Sequence, residues 1–113
     1  MKISTLVSIV LLAFSLSAVA ADGDVTSQAY EVQLKNFTAP ATVNGGASFK
    51  ECDDCDRRVV RVAAGTRYEV NGRGVRLEQF RKTLTQIQDR DEASLTVLHH
   101  LESDTIELIA VFY

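Results

Sequence analysis

Apolar and polar residues alternate with a period of two in several short stretches of the chain and with a period near 3.6 in one. The pattern therefore predicts a sheet with a single helix. Residues 66–87 carry both periods in succession. Tyr68 and Val70 fall on one side of an extended backbone and Arg67, Glu69 and Asn71 on the other, the mark of a strand with one buried face. Asn71-Gly72-Arg73-Gly74 breaks the alternation with residues that tolerate positive φ, and predicts a turn. From Leu77 the spacing lengthens. Leu77, Phe80, Leu84 and Ile87 stack along one stripe of a helix that should end near Gln88. No Ser, Thr, Asp or Asn precedes Leu77. Arg76 takes the N-cap place, at a cost of ~1 kcal/mol unless another group, such as Asn71 or a loop carboxylate, satisfies the first N–H groups.

Four further stretches read as extended. Tyr30, Val32 and Leu34 alternate with Glu31, Gln33 and Lys35. In residues 58–64, Val60 and Val62 lie opposite Arg61, and Gly65 joins this run to the strand at Thr66, so one long strand with a kink or bulge is expected. In residues 94–101, Leu95, Val97, His99 and Leu101 share a face and His100 lies on the other. Residues 105–113 open with Asp104 and Glu107 at capping-box spacing, but the crowd of Thr, Ile, Val, Phe and Tyr favours a strand. Such a strand is apolar on both sides, with Ile106, Leu108, Ala110 and Phe112 on one and Ile109, Val111 and Tyr113 on the other. That suits a central strand, or a face covered by a partner. Residues 36–56 are irregular apart from a short strand expected at 48–51. The fold class read from this pattern is α+β: a small single domain with an antiparallel or mixed sheet of about five strands and one helix packed on one face.

Composition matters most at the start of the chain. Met1-Lys2, an apolar run over residues 3–16 and the A-x-A pattern Ala18-Val19-Ala20 predict a secretory signal peptide at residues 1–20, cleaved after about Ala20. The expected location is then periplasmic or secreted, with residues 21–29 as a flexible leader and 30–113 as the domain. No second apolar run has spanning length, so no membrane span is expected after signal removal. Removing residues 1–20 from the 113 leaves 93, enough for one small core, and takes the formal charge from −3 to −4 with the loss of Lys2. A mildly acidic chain gives no bulk attraction to nucleic acid, and none is expected as a partner. Charge is nonetheless uneven: between Arg57 and Lys82 only Glu69 and Glu78 oppose seven Arg and one Lys. Arg57, Arg58, Arg61 and Arg67 form a candidate anion-facing surface, weighed against an ordinary arginine-rich outer strand face.

Cys52-Asp53-Asp54-Cys55 is the one chemically loaded motif. In an exported chain the two thiols have only each other, which predicts a structural disulfide. A redox-active pair would want a helix N-terminus and cations, whereas Glu51, Asp53, Asp54 and Asp56 crowd this one with negative charge. A zinc site would need four ligands, and His99 and His100 on a strand point to opposite faces. No metal, cofactor or catalytic residue is expected. His99, on an apolar face, reads as a hydrogen-bonded core residue. The function expected is that of a small exported, non-enzymatic binding or interaction module, its partner an unknown protein or a second copy, met by the exposed sheet face with Ile109, Val111 and Tyr113 or by the loop Asn36–Asp56. The alternative is a periplasmic thiol–disulfide redox protein using Cys52 and Cys55.

Overall fold

The computed structural model describes residues 26–113; the signal peptide, its cleavage point and most of the expected leader lie outside them. Among these residues seven strands and one helix follow in the order β1 (Ser27–Gln33), β2 (Phe37–Thr38), β3 (Gly46–Lys50), β4 (Arg57–Val70), β5 (Arg73–Val75), α1 (Leu77–Gln86), β6 (Ser94–His100) and β7 (Thr105–Phe112). A 3₁₀ turn, Leu34–Asn36, links β1 to β2. The strands form one sheet in the order β1-β6-β7-β4-β3-β2, with β5 beside the end of β4. The β4–β7 pair is parallel and the remaining pairs are antiparallel, so the sheet is mixed. It curls into a half-barrel around a core that α1 helps to fill, and the domain is mostly sheet.

The expectation of about five strands is therefore corrected to seven. β2 and β5 have two and three residues, too short for alternation to register in sequence. β1 begins at Ser27, inside the stretch expected as a leader, because Ser27 pairs with His100 at the end of β6. β4 is the long strand anticipated, continuous through Gly65. Asn71 and Gly72, with φ of 49° and 86°, close a two-residue turn into β5; positive φ at both central positions is the geometry whose twist matches a hairpin.

Two coupled irregularities set which side chains reach the core. Against β7, four β4 residues (63–66) stand where β7 offers only Glu107 between Ile106 and Leu108. Against β6, Leu98 pairs with Leu108 and the neighbouring His99 with Ile106, so Glu107 is again the extra residue. The Thr66 hydroxyl serves the interruption by donating to the Ile106 carbonyl while accepting the Ala63 N–H at 2.9 Å. Glu107 shifts the alternation of β7 by one. Ile106 consequently joins Ile109 and Val111 in the core rather than the opposite face with Leu108.

Helix α1 starts at Leu77 as the stripe predicts, and Phe80, Leu84 and the following Ile87 are buried. Arg76 at the N-cap makes no side-chain cap bond. Asn71, one of the outside groups considered for the helix start, is engaged elsewhere: its Oδ1 accepts the Tyr113 N–H at 3.1 Å and its own N–H donates to the Val111 carbonyl, fastening the end of β7. Glu78 and Gln79 are exposed, so the start of the helix lies at the surface. The helix stops two residues before Gln88, where the Arg90 guanidinium donates to the Leu84 carbonyl at 3.0 Å.

Candidate functional site

The cysteine motif forms the tip of the β3–β4 hairpin. Cys52 and Cys55 are joined by a disulfide with Cα atoms 5.0 Å apart, and the Cys55 N–H donates to the Cys52 carbonyl across the same turn. Asp53 anchors the tip to the 3₁₀ turn: its carboxylate accepts from Asn36 Nδ2 at 3.1 Å and Lys35 Nζ at 3.4 Å, and its carbonyl accepts from Lys50 Nζ at 3.0 Å. The Asn36 hydrogen bond, then Lys35 by hydrogen bond and charge, hold the Asp53 carboxyl below its usual range. The pair thus leaves a strand and closes a turn, with carboxylates as its neighbours, and has no helix N-terminus beneath it.

The four candidate arginines do not make one surface. Arg57, Arg61 and Arg67 leave the outer side of β4, where Arg57 Nη1 donates to Ser48 Oγ at 2.7 Å. Arg58 takes the core side. Its Nε lies 2.9 Å from Glu51 Oε2, and its guanidinium covers the Tyr30 ring at 4.9 Å. Arg58 therefore does not share a strand face with Arg57, Arg61 and Arg67. The expected contact face is corrected. Ile109 and Val111 are 0% exposed within the core, and only Tyr113, at 62%, meets solvent. The outer side of β7 presents half-buried Leu108 and exposed Phe112 instead.

His99 is buried and satisfied, as its apolar face implied. Nε2 lies 2.8 Å from Asp104 Oδ1 and Nδ1 lies 3.4 Å from the Tyr30 hydroxyl. Asp104 reaches it from the β6–β7 turn, where it adopts φ 56°. His100, on the other face, bonds Ser103 in that turn. No group of three or more metal-ligating side chains occurs among the described residues.

The feature that sequence reasoning missed is a gap along β4. β7 occupies one edge of this strand. On the other edge β3 pairs with residues 57–61 and β5 with 68–70, and the Val62 N–H continues the first ladder to the Gly45 carbonyl. Residues 63–67 have no strand partner on that edge. Beside them lies a groove of about 590 Å³, walled by Val43 from the β2–β3 loop, by β4 and by residues 74–77 at the start of α1. Arg67 and Arg76 lie in its lining, as does Glu69. Tyr68 also lines it, and its hydroxyl is the one buried side-chain polar atom without a hydrogen-bond partner among the described residues. Burial pushes the pKa of that phenol up. Gly65 in the gap was the available signal, since a glycine within a strand pattern marks a place where another backbone can approach.

No family model matches this chain, and no curated protein or solved structure matches it either. Among the described residues no helix is long and apolar enough to cross a membrane. The intramolecular disulfide is consistent with an oxidising, exported compartment.

Proposed function

We propose that this chain is a small exported, non-enzymatic binding module whose Cys52–Cys55 bond is a structural staple. The observation that carries the reading is the unpaired stretch of β4 beside a groove. An open sheet edge offers backbone donors and acceptors to another chain, and proteins normally cover or charge such edges. Residues 1–20 serve as the signal that delivers the module to the periplasm or the cell exterior, and the disulfide forms there. It closes a four-residue loop, for which chain entropy gives about 2 kcal/mol.

The alternative, a thiol–disulfide redox protein, has in its favour the exposure of Cys52 and the two cations at Arg57 and Arg58. Against it, Arg58 is paired with Glu51, and Asp53, Asp54 and Asp56 disfavour a thiolate. Equilibrating the purified protein with glutathione buffers and reading the mass change of reduction separates the two readings. A potential below about −300 mV supports a staple, whereas one between about −120 and −270 mV, the range of oxidoreductases, refutes it.

A further inference from the structure

We infer that β1 pairs edge to edge with β1 of a second copy of this chain, antiparallel, with Glu31 of each strand opposite Ala29 of the other. The inference goes beyond the reading above: it concerns a different edge of the sheet and stands apart from the groove beside β4. It begins with the β1–β6 ladder. At one end the Leu101 N–H donates to the Thr26 carbonyl at 2.8 Å, and at the other the Leu34 N–H donates to the Ala93 carbonyl at 3.0 Å. Both bonds continue one unbroken register, from Ser27 facing His100 to Gln33 facing Ser94. Bonded and non-bonded pairs alternate along an antiparallel ladder, so the even-numbered residues of β1 turn their backbone groups to β6. Ser27, Ala29, Glu31 and Gln33 turn theirs the other way, to a flank where no strand lies among the described residues.

Side chains leave that flank clear. Ser27 Oγ donates to Glu107 at 2.7 Å, Glu31 accepts from Thr96 Oγ1 at 2.9 Å, and Gln33 Nε2 donates to the Asp91 carbonyl at 3.1 Å, so all three lean back over the sheet. Arg58 and Phe49 meet the Tyr30 ring on the core side. The strand also lacks the devices that keep edges apart, which are shortness, bulges, Lys and Pro. β2, at the far end of the sheet, has two residues and is followed by Pro40. β1 has seven residues, no bulge against β6, no Pro, Lys or Arg, and Glu31 as its one charge.

Register and charge select a second copy as the occupant. Bonded pairs across the new seam must join outward residues to outward residues. With Tyr30 on the two-fold axis, Ser27 meets the partner's Gln33 and Ala29 the partner's Glu31, each twice by symmetry. Every outward residue of both strands is then used, with about eight hydrogen bonds. Sliding by two residues either way strands one outward residue of each copy, and one of those slides sets Glu31 against Glu31, a destabilising pair. The centred register puts no like charges directly opposite each other. A seam of one short strand from each copy is a small interface, so the dimer is weak and depends on concentration.

The test follows the purified, oxidised protein by sedimentation velocity from about 5 to about 500 µM, with amide hydrogen exchange at both ends of that range. The expected result is a monomer–dimer equilibrium. The amides of Ala29, Glu31 and Gln33 exchange more slowly at the higher concentration, whereas those of Gln28, Tyr30 and Val32 are protected at both. Ala29→Lys and Ala29→Glu, at an exposed position, place a charge opposite the partner's Glu31. Lys should tighten the dimer and Glu should weaken it, each by about 2- to 30-fold, because the pair occurs twice. A monomer throughout the range would overturn the proposal. A dimer weakened by both substitutions would overturn the register, and one indifferent to both, or with new protection only on amides elsewhere, would overturn the edge. None of these results bears on the groove beside β4, so the two readings fail separately.

Discussion

Tyr68→Phe should make this protein more stable. The Tyr68 ring is 6% exposed and packs against Phe80 with centroids 5.3 Å apart, so the substitution keeps the ring and its contacts. It removes only a hydroxyl that lost its hydration on folding and gained no partner. A buried polar group left unsatisfied costs about 1–3 kcal/mol, and returning that cost should raise stability by about 1–2 kcal/mol. In a domain of this size that is about 4–8 °C in Tm per kcal/mol. Urea unfolding followed by circular dichroism should show a higher midpoint with an unchanged slope, the signature of a change in stability alone. A pH dependence accompanies it. Burial raises the folded pKa of Tyr68 above its unfolded value near 10, so above that pH the unfolded chain loses this proton while the folded protein keeps it. The contribution is fully present below about pH 10 and declines as pH climbs toward the folded pKa. The gain from Tyr68→Phe should therefore be larger at pH 10.5 than at pH 7. A variant less stable than the parent at pH 7, or a gap that closes with rising pH, would mean that the hydroxyl is satisfied in solution and that the argument from burial is wrong.

Other substitutions test other joints of the structure. The Cys52→Ser/Cys55→Ser double variant should fold and lose about 2 kcal/mol in urea titration, the entropy of a four-residue loop. Ile109→Ala should cost about 2–5 kcal/mol by the same measurement, whereas Phe112→Ala, at a side chain 45% exposed, should cost less than about 1 kcal/mol; reversed values would restore Ile109 to a contact surface. Thr66→Val keeps the side-chain shape but removes the acceptor for the Ala63 N–H and the donor to Ile106, and should destabilise by about 1–3 kcal/mol. Asp53 titrates below its usual range, so its contribution is present above the unfolded pKa near 3.9 and fades as pH falls through the folded value; Asp53→Asn should flatten that part of the stability profile between pH 2 and 5.

The elements that sequence could reveal are those whose side chains repeat. Tyr68 and Val70, the stripe from Leu77 to Ile87, and the alternation over Leu95 and Val97 each bury one face, and a buried face leaves its period in the chain. β2 and β5 leave none, because two or three residues make no period. The facing of β7 was misread for a different reason. A single extra residue, Glu107, reverses which side chains point inward, and its identity says nothing of its being extra. The same limit hid the candidate groove. It is made where β3 ends, β5 has not begun and the loop carrying Val43 passes by, so it belongs to the pairing of distant segments. The cysteine pair was legible because its chemistry is local: two residues lie between the cysteines, and no other thiol competes.

The placement of β1 has a consequence for how the chain acquires its structure. Among the described residues β1 comes first of the strands, yet it pairs only with β6, so that Tyr30 waits for Val97 and Ser27 for His100. The parallel partner of β4 is likewise the last strand, β7. Pairings between such distant segments make folding slow relative to a protein of local contacts, because loop closure must be paid before any of them forms. A chain threaded from its N-terminus through a narrow passage would hold β1 on the far side without its partner until nearly everything had followed. Completion of the sheet waits for the C-terminal hairpin of β6 and β7, and a shorter chain that stops before Ser94 would have an edge at β1 and a bare flank on β4 with nothing to join them.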